Sequence, residues 1–279
     1  MNRSIYIHTY DEIGQFRFRL GCVKNAGFKT VAISLLDNKT VFRKDFFDYI
    51  KSLKEELDRQ EMICNDVHLP CYDILLPSGI VDEKMEDGLN DAVIAASIFG
   101  ASWCVYHPRT AVDKGYDSKA AFEDNKKSLS RLLETAHKYN TGIAVENLAV
   151  FPDAPIHRLY TSDPDDICEI VDCFKSDKMA ICWDTSHGNL MPFDQAKVIR
   201  QLGKRIKALH LGNNFKTRDD HALMPLGNVD WEKVIGALKE IGYDGVLTLE
   251  ANLVPDRFIP NFMNLAFDSA TYLKELFEK

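Results

Sequence analysis

The stretch CWDTSHGNL, residues 182–190, sets an aspartate and a histidine three residues apart, directly after a short apolar run and just before a glycine. Two chemistries suit Asp184 and His187. They form a polar turn capping the helix that follows, or they are two ligands of a metal ion. Residues of the same types recur at comparable places. His8, His68, His107, Glu146, His210 and Glu250 each stand at or near the end of a short β-rich run, and Asp219 and His221 lie in the loop after His210. Six of the eight histidines belong to this set, and only His137 and His157 fall elsewhere. Chance would scatter them over helices and loops as well.

Taken singly, each has an ordinary explanation. A lone strand-end histidine is usually a hydrogen-bonded structural residue, Asp184 suits an N-cap, and Glu146 or Glu250 suits a partner for a buried arginine. The Asp219/His221 pair sits in a charged loop, KTRDDHALMPLG, that reads as solvated surface. Taken together they point to one region. A carboxylate or imidazole turned into a protein interior must be paired or must bind a metal, because burying it alone costs several kcal/mol. A divalent-metal site is therefore expected. His8 is a candidate substrate contact. Lys216 and Arg218 are candidates for holding a phosphate or hydroxyl group, or are simply exposed.

The elements that must position these residues alternate between β-rich runs and longer stretches of helical period. Strands are expected at 4–9, 30–36, 62–69, 101–107, 142–148, 179–184, 206–212 and 245–250. Helices are expected at 82–99, with Asp82 as N-cap and Gly100 as stop, at 118–139, at 231–241 behind Asp230, and at roughly 258–277. Eight strands each followed by a helix, with no linker of low complexity, predict a single (β/α)₈ TIM barrel over residues 1–279. An open doubly wound sheet usually carries a glycine-rich phosphate loop after its first strand, and HTYDEIG is not one. In such a barrel the C-terminal strand ends form the active-site face. Residues two apart share a strand face, so Ala144, Cys182 and Ala208 should lie beneath Glu146, Asp184 and His210 as small neighbours in a crowded interior.

Composition narrows the functional classes. A net charge of −8, from 34 basic and 42 acidic residues, gives no global attraction to nucleic acid or anionic membrane. No apolar run is long enough for a transmembrane helix, and MNRSIYIHTYDE is unlike a signal peptide. Seven cysteines with no C-x-x-C pattern read as reduced thiols, so a cytoplasmic location is expected, with Cys104 and Cys182 as small core residues.

The motifs VHLPCY, VYHPRT, AVENL, CWDTSH, ALHLGNN and RDDHALMPLGNVDWEKVIGALKEIGYDGVLTLE resemble the xylose isomerase-like barrel superfamily. That group holds sugar and sugar-phosphate isomerases and epimerases, inosose dehydratases and isomerases, and the endonuclease IV branch of abasic-site repair enzymes. The resemblance runs from strand three to strand eight. It implies that Glu146, Asp184, His210 and Glu250 are the four metal ligands of a ketose 3-epimerase-like site, with the two glutamates also moving the proton. It places His187 and Arg218 among the substrate contacts. The endonuclease IV pattern implies more: His68, His107, His187, Asp219 and His221 join those four as ligands for three zinc ions. The chain departs from the repair enzymes after strand two, where they carry a polar, aromatic DNA-reading loop and this sequence has SLLDNKTVFRKDF, without a tryptophan.

One imidazole with three carboxylates is a relatively hard donor set that suits Mn2+, Mg2+ or Co2+, with Zn2+ also accepted, and the extra histidines favour zinc if a second ion binds. The expected function is a metal-dependent isomerase or epimerase of a sugar or sugar phosphate. In it, a metal-held carbonyl and hydroxyl pass through an enediolate, while Glu146 and Glu250, from opposite sides of the barrel mouth, remove and return the proton. The alternatives are an endonuclease IV-like phosphodiesterase and a non-catalytic sugar-binding barrel. No nucleic-acid or membrane partner is expected. Barrels of this type often pair, which makes a homodimer an open expectation.

Overall fold

The structure, a computed structural model, describes residues 1–9, 12–71, 75–112, 115–150, 158–251 and 254–279. His157 lies outside the described residues. The eight barrel strands, numbered in chain order, are β1 (Arg3–His8), β2 (Thr30–Ser34), β3 (Ile63–His68), β4 (Trp103–Tyr106), β5 (Gly142–Glu146), β6 (Met179–Asp184), β7 (Ile206–His210) and β8 (Leu247–Leu249). Each matches an expected strand within two or three residues at its ends. All neighbours pair in parallel, in the order β8-β1-β2-β3-β4-β5-β6-β7. The β7/β8 seam is closed by a parallel bridge between Leu211 and Leu249, with Leu211 N–H donating to Thr248 O at 2.8 Å and Glu250 N–H to Leu211 O at 3.2 Å. The chain is a single (β/α)₈ TIM barrel.

The helices form because their apolar residues recur on one stripe and their ends are signalled. Glu83–Phe99 starts behind Asp82, whose carboxylate accepts from Met85 N–H, and stops at Gly100 in a left-handed conformation of φ 78°. Ser118–Lys138 and Trp231–Glu240 start in the same way behind Asp117 and Asp230. Leu20, Leu53, Leu89, Leu132, Ile170, Ile199, Leu238 and Leu273, one from each main helix, are wholly buried. They belong to the large apolar layer between strands and helices. A second, smaller cluster fills part of the barrel interior: Val105, Ala144, Ala180, Cys182 and Ala208, with Trp103 against them. Ala144, Cys182 and Ala208 are thus buried beneath the polar tips as the two-residue alternation requires.

Above the strands, two short strands, Leu75–Leu76 and Thr110–Ala111, pair in parallel and tie together the loops that follow His68 and His107.

Candidate metal centre and active site

β6 ends at Asp184, whose carboxylate makes the expected helix cap with one oxygen and turns the other toward an imidazole. Asp184 Oδ1 caps the helix Thr185–Leu190 by accepting from His187 N–H at 2.6 Å, while Oδ2 lies 3.3 Å from His221 Nε2. The cap fixes the first turn of that helix, and the turn carries His187 back over the mouth.

Glu146, Asp184 and His210 are wholly buried, and Glu250 is largely so. One ligand atom from each of the four lies within 4.8 Å of the others. His210 Nδ1 is central: Glu146 Oε1 is 3.0 Å away and Glu250 Oε2 2.9 Å away. Among the described residues neither glutamate pairs with an arginine; their partners are imidazoles. Glu146 and Glu250 flank His210 instead of facing each other across the whole mouth, because β5 to β8 are consecutive and form one arc of the barrel wall. This corrects the expected placement on opposite sides of the mouth.

Two histidine pairs extend the group. His107 Nε2 and His68 Nε2 stand 2.9 and 3.3 Å from Glu146 Oε2. On the other side, His187 Nε2 and His221 Nδ1 stand 3.3 and 3.1 Å from Asp219 Oδ2. Asp219 and His221 are mostly buried, so the solvated-surface explanation does not hold for them. Their loop is folded by reciprocal backbone bonds between Asn213 and Ala222, of 2.9 and 2.8 Å, and by Asn189, whose amide donates to Asn214 and Asn228. Gly227 is required by close approach: a Cβ there would lie 2.0 Å from Asn213 Oδ1. His221 is held at φ 40°, an unusual backbone conformation for a non-glycine residue.

The electrostatics of the group are set by carboxylates and imidazoles buried against one another. Burial pushes the Glu146 and Glu250 carboxyls up, but His210 with His107 or His221 outweighs it and holds both well below the usual carboxylate range. Burial opposes charge on His187, yet Asp184, Asp219 and Glu146 raise it to about 10. Burial likewise opposes charge on His210 and His221, and nearby acidic groups raise both. His107 is lowered by burial. Glu146 Oε2 and Glu250 Oε2 are buried with no hydrogen-bond partner among the described residues, although imidazole nitrogens stand 2.9 Å from each. Close nitrogen–oxygen pairs without hydrogen-bond direction are what two lone pairs aimed at a common cation produce, so the donor set fits a divalent metal.

Of the other expected residues, His8 ends β1 half-buried, close enough to Glu250 and His68 to respond to their charges. Arg218 is not brought into the group; its guanidinium is largely exposed and pairs with Asp220 at 2.7 Å. Lys216 is exposed. Cys104 and Cys182 are buried core residues, though Cys182 also lies within ligand reach of Glu146 and His210. Sequence reasoning missed Cys71, whose Sγ is 3.1 Å from His107 Nδ1. The H-x-x-C spacing from His68 to Cys71 was the available signal. It also missed Asn147, whose carbonyl lies 2.9 Å from His187 Nδ1 and whose side chain bonds the Asp184 backbone.

The xylose isomerase-like TIM barrel family matches residues 21–274. An uncharacterised protein of Methanocaldococcus jannaschii is 29% identical over 214 residues, 74% of this chain and 70% of its own length. A D-psicose 3-epimerase of Enterocloster bolteae is 32% identical over 83 residues, 29% of this chain and 26% of its own. Among solved structures, a D-tagatose 3-epimerase-like protein superposes with a TM-score of 0.77 at 24% identity, covering 100% of this chain and 97% of that one. A D-psicose 3-epimerase from Clostridium cellulolyticum H10 also gives 0.77, at 17% identity and 99% coverage of both. The chain belongs to the xylose isomerase-like TIM-barrel family.

Proposed function

We propose that the protein is a divalent-metal-dependent isomerase or epimerase acting on a sugar or sugar phosphate. The observation that carries this reading is the convergence of Glu146, Asp184, His210 and Glu250 on one point, with a buried, unpartnered oxygen on each glutamate. The 3-epimerase names among relatives and structural neighbours support the substrate class.

A divalent cation, when bound, would polarise a substrate carbonyl, acidify the adjacent C–H and offset the charge of an enediolate. The chain's residues do the rest. Both glutamates are held in the ionised form at neutral pH, the form a base requires. Glu250 is the more open of the two at the mouth, while Glu146 is enclosed by His68, His107 and His210. Glu250 is therefore assigned to the proton facing the entrance and Glu146 to the inner one. His187 and His8 are assigned as substrate contacts. Seven free cysteines fit a reducing cytoplasm, and among the described residues no helix is long and apolar enough to cross a membrane.

In D2O with added Mn2+, Mg2+, Co2+ or Zn2+, the protein should exchange deuterium into a ketose at the carbon beside its carbonyl, read by NMR over a panel of ketoses and their phosphates. Glu250→Gln should keep much of the metal and slow exchange by about 10²–10⁴-fold. Absence of exchange across a broad panel, or wild-type exchange by Glu250→Gln, would sink the assignment.

A second reading has its own observation. Glu146 Oε2 is shared by His68 and His107, and Asp219 Oδ2 by His187 and His221, which supplies ligands for up to three ions and suits phosphodiester cleavage. The net charge of −8 and the tryptophan-free segment after β2 weigh against DNA as substrate. The expected result is no incision of abasic-site duplex DNA at physiological salt. Incision lost in His187→Ala and Glu250→Gln would reverse the ranking.

A further inference from the structure

An imidazole that ligates a metal through one nitrogen normally donates the other N–H to a carboxylate, carbonyl or water, which fixes its tautomer and orientation. Three imidazoles at the mouth have such backing on Nδ1, while Nε2 makes the shortest approach to a carboxylate. His68 Nδ1 is 2.8 Å from Leu69 O, His187 Nδ1 is 2.9 Å from Asn147 O, and His107 Nδ1 is 3.1 Å from Cys71 Sγ. His210 is the exception. Its Nδ1 faces Glu146 and Glu250, and its Nε2 points down the barrel with no hydrogen-bond partner among the described residues.

The acidic group below it is Asp66, on β3. Asp66 is buried, and its Oδ2 is engaged by the Asn65 amide and, at 3.3 Å, by Thr248 Oγ1. Its Oδ1 has no partner among the described residues and lies 4.0 Å from His210 Nε2. That gap exceeds a direct hydrogen bond by about 1 Å. Closing it would take a shift of about 1 Å in the Asp66 carboxylate or the imidazole. His210 Nε2 and Asp66 Oδ1 are both buried and without a hydrogen bond among the described residues, which is costly, and they face each other; the Cys182 thiol is the other group set against His210. Tyr6 packs edge-on against His210, with ring centroids 5.1 Å apart, and holds the imidazole plane.

We propose that Asp66 is a positioning residue for His210: it accepts the Nε2–H, and so fixes the tautomer that leaves Nδ1 free as a ligand. The proposal rests on the reading of His210 as a ligand of the core ion. It adds a residue from β3 to a centre whose four core ligands come from β5–β7 and the end of β8.

The test uses the folded protein with Zn2+ as a diamagnetic probe. In 15N-histidine-labelled, zinc-loaded protein, His210 should be protonated at Nε2, with that proton shifted downfield by the carboxylate. Asp66→Asn should weaken Zn2+ binding about 10–100-fold, by competition with a chromophoric chelator, and move the Nε2–H upfield. Thr248→Val, which removes a partner of Asp66 on its far oxygen, should change affinity less than threefold. Equal affinity in wild type and Asp66→Asn overturns the proposal, as does a Thr248→Val loss as large as that of Asp66→Asn. If Asp66→Asn fails to fold, the wild-type spectrum decides alone: His210 protonated at Nδ1, or an Nε2–H at an unshifted position, overturns it. Zinc that binds His210→Ala as tightly as wild type instead refutes the ligand reading beneath.

Discussion

On the floor of the barrel, Ser4 Oγ donates to Asn65 Oδ1 at 2.6 Å and the Asn65 amide to Thr248 Oγ1 at 3.0 Å. At the mouth, Glu146 and Glu250 crowd His210, and Asp184 and Asp219 crowd His187 and His221. Both regions are polar and enclosed by the same eight strands. The floor is mostly neutral: Ser4, Asn65 and Thr248 bond to one another, and the Asp66 carboxylate beside them is the ionisable member. The mouth gathers carboxylates and imidazoles in excess: some pair, as His210 does with Glu146, but one oxygen of Glu146 and one of Glu250 are left without a hydrogen-bond partner among the described residues. Buried polarity alone is therefore not a sign of a metal site. The sign is an excess of ligand atoms turned toward one point.

The largest effects should come from the mouth. Asp184→Ala or His210→Ala should remove the tightly bound ion, whereas His68→Ala should leave it in place, by elemental analysis of the purified variants. Asp184→Asn keeps the helix cap and separates loss of a ligand from loss of about 1 kcal/mol of capping. Full metal occupancy in Asp184→Ala would erase the distinction between mouth and floor.

The next effect is on pH. His210 is raised above its ordinary value in the metal-free protein, so at neutral pH an incoming ion must displace its proton. Affinity should rise with pH, by about tenfold per unit for each proton displaced, until the imidazole is neutral unaided. Calorimetry in buffers of different ionisation heat should show proton release at pH 7; release of none contradicts the charge assignment. Stability of the metal-free protein should follow the same groups. The depressed carboxylates Glu146, Asp219 and Glu250 contribute fully above their ordinary range of about 4 and lose that contribution as pH falls further. His187 contributes fully below about 6.5 and loses its contribution as pH rises through about 10. Thermal melts with and without chelator, at pH 3, 7 and 10, check both limbs.

The smallest effect belongs to the floor. Ser4→Ala should cost about 1 kcal/mol in denaturant unfolding and leave metal content unchanged. A loss of metal would show that the two regions are coupled more tightly than their hydrogen bonds suggest.

Much of this was legible in the sequence because it rests on local signals. Strand ends, N-caps such as Asp82 and Asp230, and the small residues Ala144, Cys182 and Ala208 follow from period and turn chemistry. The convergence of nine ligand-type residues followed from placing them on a barrel. What stayed hidden depends on side-chain direction. Arg218 sits one residue before Asp219 yet turns outward to Asp220, and nothing in RDDH distinguishes the two orientations. Asp66 was invisible for the opposite reason: inside ICNDVH, an irregularity in the β2/β3 register brings Asn65 and Asp66 both to hydrogen bonds with Thr248, which strict alternation does not allow.

The seam of the barrel has a mechanical consequence. Seven of the eight strand junctions are ladders of at least three paired residues, while β7 and β8 meet through the single Leu211–Leu249 bridge. His210 ends the strand on one side of that seam and Glu250 follows the strand on the other, with Nδ1 and Oε2 2.9 Å apart. An ion gripping both would act as a clasp on the cylinder where its hoop is weakest. Opening the seam and releasing the ion would then be one motion, and backbone amide exchange at Leu211 and Glu250 would slow on metal binding more than at any ladder elsewhere in the wall.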